Sequence, residues 1–512
     1  MTARADAAAF IERVFDPGSW TCWDRPVRHD TGVFSGYREV LDRARRDSGR
    51  DEAIVTGEGT INGRPVAALV GEFGFLAGSV GVGTARRVVA AVRAATARGL
   101  PLLAAPVSGG TRMQEGTAAF VQMVAVTDAV AAHRAAGLPY LVYLRHPTTG
   151  GVFASWGSLG HLTMAEPGAL VGFLGPRVCR LLTGEDFPDE VQTAEHLHEH
   201  GLVDAVLPLP DLREFVHRVL DVMCRPGPDV PGAGRVPVGT PLEAEAVWEA
   251  VERTRRPDRP GAGDLLRVAA THVVPLPGSA EGEVSGPVTI ALARFGDIAC
   301  VVVAEDHARR DLPLGPGALR AARRGIRLAA ELGLPLVTVV DTPGAELSAA
   351  AERGGLAGQI ARTLHDMVTL PSPSLCVLLG EGCGGGALAL LPADRVVAAP
   401  DAWLSPLPPE GASAILYRTP DRAAELARQQ RIGCADLYAD GIVDRVIPAS
   451  PDDPDTFVHR VGAVIADELR TLILRPAAQR RRADRRVGRV HSGERGMRWP
   501  MAGMGVNLRE GS

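Results

Sequence analysis

Apolar residues along this chain recur at two spacings, one typical of strands and one typical of helices. The segments 53–57 and 65–70 are strand-like, and Asn62-Gly63 between them suits a tight hairpin turn, because Asn-Gly adopts positive φ at low cost. Between 84 and 98 the apolar positions recur at helical spacing. A continuous apolar run follows at 138–144. Such runs, alternating with helical segments, predict parallel strands joined by helical crossovers, and therefore an α/β fold.

The same order of features occurs twice along the chain. Gly99-Leu100-Pro101-Leu102 opens an apolar run and returns as Gly333-Leu334-Pro335-Leu336, 234 residues later (333 minus 99). A glycine pair after the next apolar run occurs at Gly150-Gly151 and again at Gly385-Gly386, offset by 235. Three further matches keep this register: Gly63 with Gly296, Pro167 with Pro400, and Pro176 with Pro409. The pattern predicts two copies of one domain, with a site built from two equivalent backbone turns.

The repeats divide the chain into five segments. Residues 1–50 are predicted to form a helical lead-in, residues 51–222 the first domain and residues 285–474 the second. Residues 223–284 contain Pro-Gly-rich turns and a charged stretch, which are typical of a connector. Residues 475–512 form an arginine-rich tail, which we interpret as a solvated helix rather than a phosphate-binding segment.

Composition and charge narrow the available functions. The chain has 512 residues, is 46% hydrophobic and carries a net charge of −5, so it fits a globular protein with no pull towards nucleic acid or anionic membrane. The segment 1–15 lacks the apolar core of a signal peptide, and no run of about 18 uncharged apolar residues occurs. We expect a cytoplasmic protein with no nucleic-acid or membrane partner.

All 55 basic residues are arginine, and none is lysine. This excludes a Schiff-base lysine, a Walker lysine and a biotinylated or lipoylated lysine on this chain, so any swinging prosthetic arm must belong to another protein. The seven cysteines stand singly and are expected to be buried small hydrophobes. His196, His198 and His200 are better explained by a solvated helix than by a metal site, and we expect no metal.

In each repeat an apolar strand runs into glycines and then into a helix-like segment. Gly150-Gly151 and Gly384-Gly385-Gly386 are therefore expected where N–H groups at a helix start lack partners and can hold an oxyanion. A tight turn that packs two helices is the simpler explanation for one pair, but two pairs at matched register favour the oxyanion site. Ser108 lacks the Gly-x-Ser-x-Gly context of a nucleophile, so 108–110 is interpreted as another ligand-facing turn.

Several motifs resemble the carboxyltransferase component of acetyl-CoA carboxylase. The first half resembles the β subunit at GEFGFLAGSVG (71–81), SGGTRMQEG (108–116), PTTGGV (147–152), AEP (165–167), GF (172–173) and GPR (175–177). The second half resembles the α subunit at DTPGA (341–345), GEG (380–382), GGAL (385–388) and PEGASAIL (409–416). The resemblance covers about residues 10–220 and 285–450.

The resemblance implies two tandem crotonase-like (ββα spiral) domains related by internal duplication. It implies transfer of a carboxyl group from carboxybiotin to acetyl-CoA, which gives malonyl-CoA for fatty acid biosynthesis. Gly150 and Gly151 would hold the thioester enolate oxygen, and Gly385 and Gly386 the ureido oxygen of biotin. Substrate contacts carried over from the matching motifs are Gly78, Ser79, Ser108, Gly109, Gly110, Arg112, Gly344 and Ala387.

The resemblance also implies partners. Biotin would arrive on a separate biotin carboxyl carrier protein, loaded by an ATP-dependent biotin carboxylase, and a coenzyme A thioester would be the acceptor. The chain would form a homo-oligomer with active sites between the first half of one protomer and the second half of another. Four features depart from the family. Only Cys22 lies where a four-cysteine zinc ribbon often occurs, so no zinc is expected, and 305–310 reads EDHARR in place of basic and glycine residues. Cys383-Gly384 stands just before the second glycine pair, and the segment 346–358 is alanine-rich.

Two other functions remain open at this point. A malonyl-thioester decarboxylase would use the same enolate-stabilising turns in the opposite direction, without biotin. A catalytically silent partner could scaffold a biosynthetic complex. A hydratase is not favoured, because no acidic pair that would activate water is apparent.

Overall fold

Two mixed β-sheets, one in each half of the chain, form the framework of the protein. The computed structural model describes residues 5–27, 36–185, 187–188, 190–224, 238–239, 247–449 and 453–476. The arginine-rich tail predicted at 475–512 lies outside these residues, except for its first two positions. No helix in the described ranges combines the length and apolarity that a membrane span requires.

The strands are short and mostly buried. Those of the first half are β1 (Thr21–Cys22), β2 (Ile54–Ile61), β3 (Arg64–Gly71), β4 (Leu102–Ala105), β5 (Tyr140–Leu144), β6 (Thr148–Thr149), β7 (Leu162–Ala165), β8 (Val171–Gly172) and β9 (Ala205–Val206). Those of the second half are β10 (Thr271–Pro275), β11 (Val288–Phe295), β12 (Ile298–Glu305), β13 (Leu336–Thr342), β14 (Ser374–Cys383), β15 (Arg395–Ala398), β16 (Trp403–Ser405) and β17 (Arg445–Val446).

Helices connect the strands and cover the sheets. The first half contains α1 (Ala7–Val14), α2 (Tyr37–Ser48), α3 (Val82–Ala97), α4 (Gly116–Phe120), α5 (Gln122–Ala135), α6 (Gly150–Phe153), α7 (Pro176–Thr183), α8 (Ala194–Glu199) and α9 (Leu209–Met223). The remainder contains α10 (Val247–Thr254), α11 (Ala262–Asp264), α12 (Pro316–Leu332), α13 (Ala349–Arg353), α14 (Leu356–Thr369), α15 (Gly384–Leu390), α16 (Pro409–Tyr417), α17 (Ala423–Gln429), α18 (Cys434–Ala439) and α19 (Pro454–Ile473).

The two sheets repeat one topology. The first has the order β1-β2-β3-β4-β5-β7-β9, and the second β10-β11-β12-β13-β14-β15-β17, with β16 beside the end of β14. The register is repeated as well: Ala67 pairs with Leu102 in parallel, and Val301 pairs with Leu336, each residue shifted by 234. The fold predicted from the sequence, α/β with internal duplication, is confirmed.

Local sequence signals explain the crossover helices. Pro316 occupies the first turn of α12, where its missing N–H costs no hydrogen bond, and Gly333 ends the helix at φ +65. The side chains of Leu319, Ala322 and Ile326 lie on one face of α12 and are buried. The helix predicted at 84–98 is observed as α3, which begins two residues earlier.

The segment predicted as a connector contributes to the second sheet. Within 223–284 the structure contains α10, α11, a π-helical turn at Leu265–Ala269 and β10, which pairs antiparallel with β11. Proline and glycine dominate the composition of this segment and obscure the strand pattern at 271–275. The second half therefore starts its ordered structure upstream of residue 285.

One apolar core joins the two halves. Phe10 and Val219 of the first half belong to the same cluster of buried residues as Leu276, Val288 and Ile290 of the second. Helix α9 contacts β10 and β11 directly. The halves are consequently packed together through their apolar surfaces as well as joined by the chain.

Candidate active site

The first glycine turn lies where β6 meets α6. Gly150 has φ +65, a conformation that favours glycine, and its N–H donates to the carbonyl oxygen of Phe173 at 2.9 Å. Gly151 lies in the first helical turn, where N–H groups have no intrahelical acceptor. A Cβ atom placed on Gly151 would lie 2.9 Å from Thr111 Oγ1. This turn therefore combines an N–H donor at a helix start with a glycine, which lets a ligand approach the backbone closely.

A second turn, Ser108 to Gly110, packs against the first. The N–H of Thr149 donates to the carbonyl oxygen of Ser108 at 2.9 Å, and the N–H of Gly110 donates to Ser108 Oγ at 3.0 Å. A Cβ atom on Gly110 would lie 3.4 Å from the Cα of Gly150, whereas Gly109 has more space around it. Ser108 is buried and shapes the turn, which agrees with its interpretation as a turn residue rather than a nucleophile.

Gly78 and Ser79 support this second turn from the other side. Leu76, Ala77 and Gly78 all have positive φ, and the N–H of Gly109 donates to the carbonyl oxygen of Ala77 at 2.9 Å. A Cβ atom on Gly78 would lie 2.0 Å from the carbonyl oxygen of Val107, so only glycine fits. Backbone strain of this kind is typical of functional sites.

Arg112 lies behind the turns rather than on their surface. Its side chain is 0% exposed and binds the Glu52 carboxylate through Nη1 and Nη2, at 2.6 and 2.9 Å. Nη2 also donates to the carbonyl oxygen of Ser79 at 2.9 Å. Burial alone would lower the pKa of Arg112, but the hydrogen bonds and charge of Glu52 raise it. The predicted substrate contact is therefore wrong, because the guanidinium is enclosed as a structural ion pair.

The second glycine turn lies where β14 meets α15. Thr149 pairs with Gly172 in the first half and Cys383 with Ser405 in the second, so strand register matches Gly150 with Gly384 and Gly151 with Gly385. Gly150 and Gly384 have nearly the same φ, +65 and +62. The matched pair thus begins one residue before the predicted Gly385-Gly386. Three consecutive glycines concealed this shift in the sequence.

Both predicted glycines of the second turn nevertheless lie at a helix start. Gly385 and Gly386 fall within the first turn of α15, where N–H groups lack intrahelical acceptors, and Ala387 follows them in the same turn. A Cβ atom on Gly386 would lie 2.5 Å from Leu314 Cδ2 and 3.3 Å from the Ala345 nitrogen. The neighbouring segment from Thr342 to Gly344 repeats the serine turn, since the Gly344 N–H donates to Thr342 Oγ1 at 3.2 Å.

Three carboxylates lie at the carboxyl ends of adjacent strands beside the second turn. They are Glu305 on β12, Asp341 on β13 and Glu381 on β14. Arg259 binds both oxygens of Asp341, at 2.5 and 2.7 Å, and the Glu381 N–H donates to Asp341 Oδ1 at 3.1 Å. Arg255 Nε donates to Glu381 at 3.1 Å.

Sequence reasoning did not identify this acidic cluster. Asp341 and Glu381 belong to recognised motifs, and an acid at the end of a buried strand is a usable signal. The arginines come from residues 82 and 126 positions away, where no local pattern reveals them.

Burial shifts the pKa values of two of these acidic groups and of the nearby thiol. Burial raises the pKa of Glu305 to about 8, against one hydrogen bond from the Asp341 backbone that lowers it. Burial also raises the pKa of Glu381, although Arg255 opposes the change. The pKa of the Cys383 thiol is raised to about 12 by burial, so this thiol, next to the second turn, is not a nucleophile at neutral pH.

The other cysteines and histidines do not form a metal centre in the described ranges. No group of three or more His, Cys, Asp or Glu side chains there has the arrangement of a metal site. His196 and His200 stack on each other, with ring centroids 4.0 Å apart. Cys300, Cys376, Cys383 and Cys434 are buried as expected, whereas Cys22 is exposed.

Comparisons with known proteins agree with this architecture. Residues 9–447 match the family described as "Carboxyl transferase domain". A Mycobacterium bovis protein named "Probable biotin-dependent acyl-coenzyme A carboxylase beta3 subunit" is 53% identical over 473 residues, covering 91% of this chain and 94% of that protein. A Salinispora arenicola protein named "Acetyl-coenzyme A carboxylase carboxyl transferase subunits beta/alpha" is 39% identical over 524 residues, covering 96% and 92%.

The fold is also that of a solved structure. The crystal structure of transcarboxylase 12S has a TM-score of 0.75 to this chain at 22% identity, and the match covers 92% of this chain and 90% of the other. At this identity the likeness concerns the fold. The matched family spans both sheets and both glycine turns, and the chain therefore belongs to the carboxyl transferase family.

Proposed function

We propose that this chain is the carboxyltransferase component of a biotin-dependent acyl-CoA carboxylase, with acetyl-CoA as acceptor and malonyl-CoA as product. The observation that carries the proposal is the repetition, in strand register, of a glycine turn at a helix start in both halves. One such turn suits a thioester oxygen and the other a urea oxygen. Both develop negative charge when a carboxyl group moves between them.

In this proposal the chain acts through its backbone. The N–H of Gly151 faces the thioester oxygen and stabilises the enolate, and the N–H groups of Gly385 and Gly386 face the ureido oxygen. Gly150, whose N–H donates to the carbonyl oxygen of Phe173, sets the conformation of the first turn. Aimed N–H donors of this kind contribute about 3–4 kcal/mol each to transition-state stability. Gly78, Ser79, Ser108, Gly109, Gly110, Gly344 and Ala387 shape the surrounding turns.

The residues beside the second turn fit a cyclic urea. First-turn N–H groups of α15 offer donors to its oxygen, and a cavity of about 110 Å³ lies between Leu314 and the segment Thr342 to Gly344. When bound, biotin supplies the carboxyl group and accepts the α-proton of the acyl group at a ureido nitrogen. Because the chain has no lysine, the biotin is attached to another protein. In this proposal that protein is a biotin carboxyl carrier protein, and an ATP-dependent biotin carboxylase loads it.

We further propose a cytoplasmic homo-oligomer with active sites between protomers, serving fatty acid biosynthesis. Large apolar side chains are exposed in both halves: Met113, Phe120 and Val124 in the first, Leu347 and Ile415 in the second. Leu347 is 98% exposed. Exposed apolar surface in both halves supports an assembly in which the first half of one protomer covers the second half of another.

The reverse reaction tests the proposal. Purified protein is incubated with malonyl-CoA and biocytin, and acetyl-CoA is measured with and without the biocytin. We expect biocytin-dependent turnover that falls at least ~100-fold in Gly151→Val and Gly386→Val, because an added side chain meets Thr111 or Leu314 and blocks the N–H groups. Gly358→Ala is the control, since its Cβ would meet only the exposed Arg362 within 3.4 Å.

The other outcomes are informative. Release of CO₂ from malonyl-CoA without biocytin would identify a decarboxylase. Turnover of methylmalonyl-CoA above that of malonyl-CoA would replace acetyl-CoA by propionyl-CoA as acceptor. No turnover with any of these thioesters would favour a silent scaffold.

A further inference from the structure

Glu305 is a buried carboxylate whose second oxygen has no partner. It is the last residue of β12 and is 1% exposed. Its Oε2 accepts a hydrogen bond from the Asp341 N–H at 3.2 Å, whereas its Oε1 is buried without a hydrogen-bond partner in the described structure. A buried unpaired oxygen costs about 1–3 kcal/mol, so a group of this kind needs an explanation.

The two neighbouring carboxylates form ion pairs with arginines, but Glu305 does not. Arg259 pairs with Asp341, and Arg255 pairs with Glu381. Within the described ranges no arginine forms an ion pair with Glu305, and burial, followed by the charge of Asp341, raises its pKa to about 8. Burial thus favours the protonated carboxyl group near pH 7, and its unpaired oxygen can carry a proton to donate.

Glu305 also lines the cavity beside the second glycine turn. The cavity of about 110 Å³ is bounded by Glu305, Leu314 and Gly344. It has the volume of three to four waters at ~30 Å³ each, which is close to that of a small five-membered ring. Leu314 is the side chain that a Cβ on Gly386 would strike at 2.5 Å, so the cavity and the turn share a wall.

The duplication shows that this carboxyl group is specific to the second half. The residue 234 positions earlier is Gly71, which occupies the end of β3. There a Cβ atom would lie 2.7 Å from the nitrogen of Val107, the counterpart of Asp341. The first half thus has no side chain at this position, and the second half has one directed at the cavity.

We propose that Glu305 donates a hydrogen bond from Oε1 to the carbonyl oxygen of the cyclic urea of biotin, and so selects biotin at the second turn. The inference rests on the proposed function. A thioester oxygen in the first half finds only backbone donors, which separates the two subsites chemically.

The test compares Glu305→Leu with Glu305→Gln in the reverse assay. Leucine removes the donor, whereas glutamine keeps one in a similar shape. We expect the KM for biocytin to rise about tenfold in Glu305→Leu, equivalent to ~1.4 kcal/mol, with the KM for malonyl-CoA within about twofold of wild type. Glu305→Gln should restore the biocytin KM to within about threefold. Glu425→Gln, an exposed carboxylate on α17 that does not line the cavity, is the control.

Dependence on pH provides a second readout. Above about pH 8 the carboxyl of the free protein ionises and loses its donor, so the wild-type KM for biocytin should rise, and that of Glu305→Gln should stay flat. Other charged groups that face Glu305 are common to both proteins, so the difference between them isolates Glu305; these are Asp306, His307, Arg310, Asp341, Glu346 and the Arg259 paired with Asp341.

Binding measured without turnover separates this inference from the proposed function. Biocytin is titrated calorimetrically into the wild-type protein and both variants, and the infrared band of a protonated carboxyl is followed in wild type minus Glu305→Gln. Weaker binding by Glu305→Leu alone and a band that shifts with biocytin support the proposal. Equal biocytin affinity in all three, in proteins with unchanged melting temperature, overturns it even if wild type is an active carboxyltransferase. If the wild type has no carboxyltransferase activity but Glu305→Leu still binds biocytin more weakly than the wild type, the Glu305 contact remains supported.

Discussion

Arg324 and Asp204 form a bidentate ion pair that joins the two halves of the chain. Nη1 and Nη2 of Arg324 lie 2.7 and 2.8 Å from the two carboxylate oxygens of Asp204, and both side chains are largely buried. Arg324 belongs to α12 and Asp204 directly precedes β9. The pair therefore fixes the second half against the edge of the first sheet.

Removing one partner of this pair should destabilise the whole protein. Asp204→Asn leaves the Arg324 guanidinium buried without its counter-ion, and we expect the free energy of unfolding to fall by about 3–5 kcal/mol in urea denaturation. Glu425→Gln, which disrupts the exposed pair with Arg422, is the control and should not change the midpoint. Equal midpoints for the two variants would show that the buried pair contributes nothing.

A neighbouring contact between the halves should respond to acid. His161 Nδ1 accepts from the Tyr140 N–H at 3.0 Å, so its Nε2 carries the proton and donates to Glu331 at 3.1 Å. This bond, followed by Arg134, lowers the pKa of Glu331 to about 2, and burial lowers the pKa of His161.

Both shifts predict lower stability in acid. Because the Glu331 pKa is lower in the folded state, its contribution is complete above about pH 4.5 and is lost as the pH falls towards 2. His161 adds to the loss below about pH 6.5, where the unfolded imidazole takes up a proton first. Melting temperatures measured from pH 7 to pH 2 should fall less steeply for Glu331→Gln than for wild type. The change should be modest, since Glu331 is partly exposed and screened by solvent.

Arg112 offers a test of its structural role. We expect Arg112→Met to lower the unfolding free energy by about 3–5 kcal/mol, because the Glu52 carboxylate stays buried without its partner. A double-mutant cycle with Glu52→Gln should give a coupling energy above ~1 kcal/mol. A stable Arg112→Met protein with a raised KM for malonyl-CoA would instead restore the direct substrate contact.

Arg259 should position the second glycine turn from a distance. It holds Asp341, which in turn accepts the Glu381 N–H three residues before Gly384. Arg259→Lys keeps the charge but loses the two-point geometry, so we expect a higher KM for biocytin and an unchanged KM for malonyl-CoA in the reverse assay. Equal increases in both constants would indicate a general structural effect.

The sequence predicts the internal duplication more completely than it predicts the residues of the site. Glycines such as Gly99 and Gly333 end helices at the same φ in both halves, so they mark the repeat directly. Strand register matches Gly150 with Gly384, one residue before the predicted pair Gly385-Gly386, a shift that side-chain identity cannot reveal among three successive glycines. The strand β10 was hidden by proline and glycine around it.

Local sequence patterns do not reveal contacts between residues that lie far apart in the chain. Arg112 belongs to a motif that resembles a substrate turn, yet its partner Glu52 is 60 residues away and encloses it. In the sequence, Glu305 only marks the start of a segment, 305–310, that departs from the family pattern. Only its unpaired oxygen and the adjoining cavity give it a candidate role.

The apolar core that joins the two sheets has a consequence for folding. Phe10 and Val219 pack in the same cluster as Leu276 and Ile290, so neither half can bury its own surface without the other. We expect heating to give a single calorimetric transition, because the shared core couples the unfolding of the two halves. A half synthesised alone would leave its share of this core exposed and would be prone to aggregation. Each half therefore assists the folding of the other.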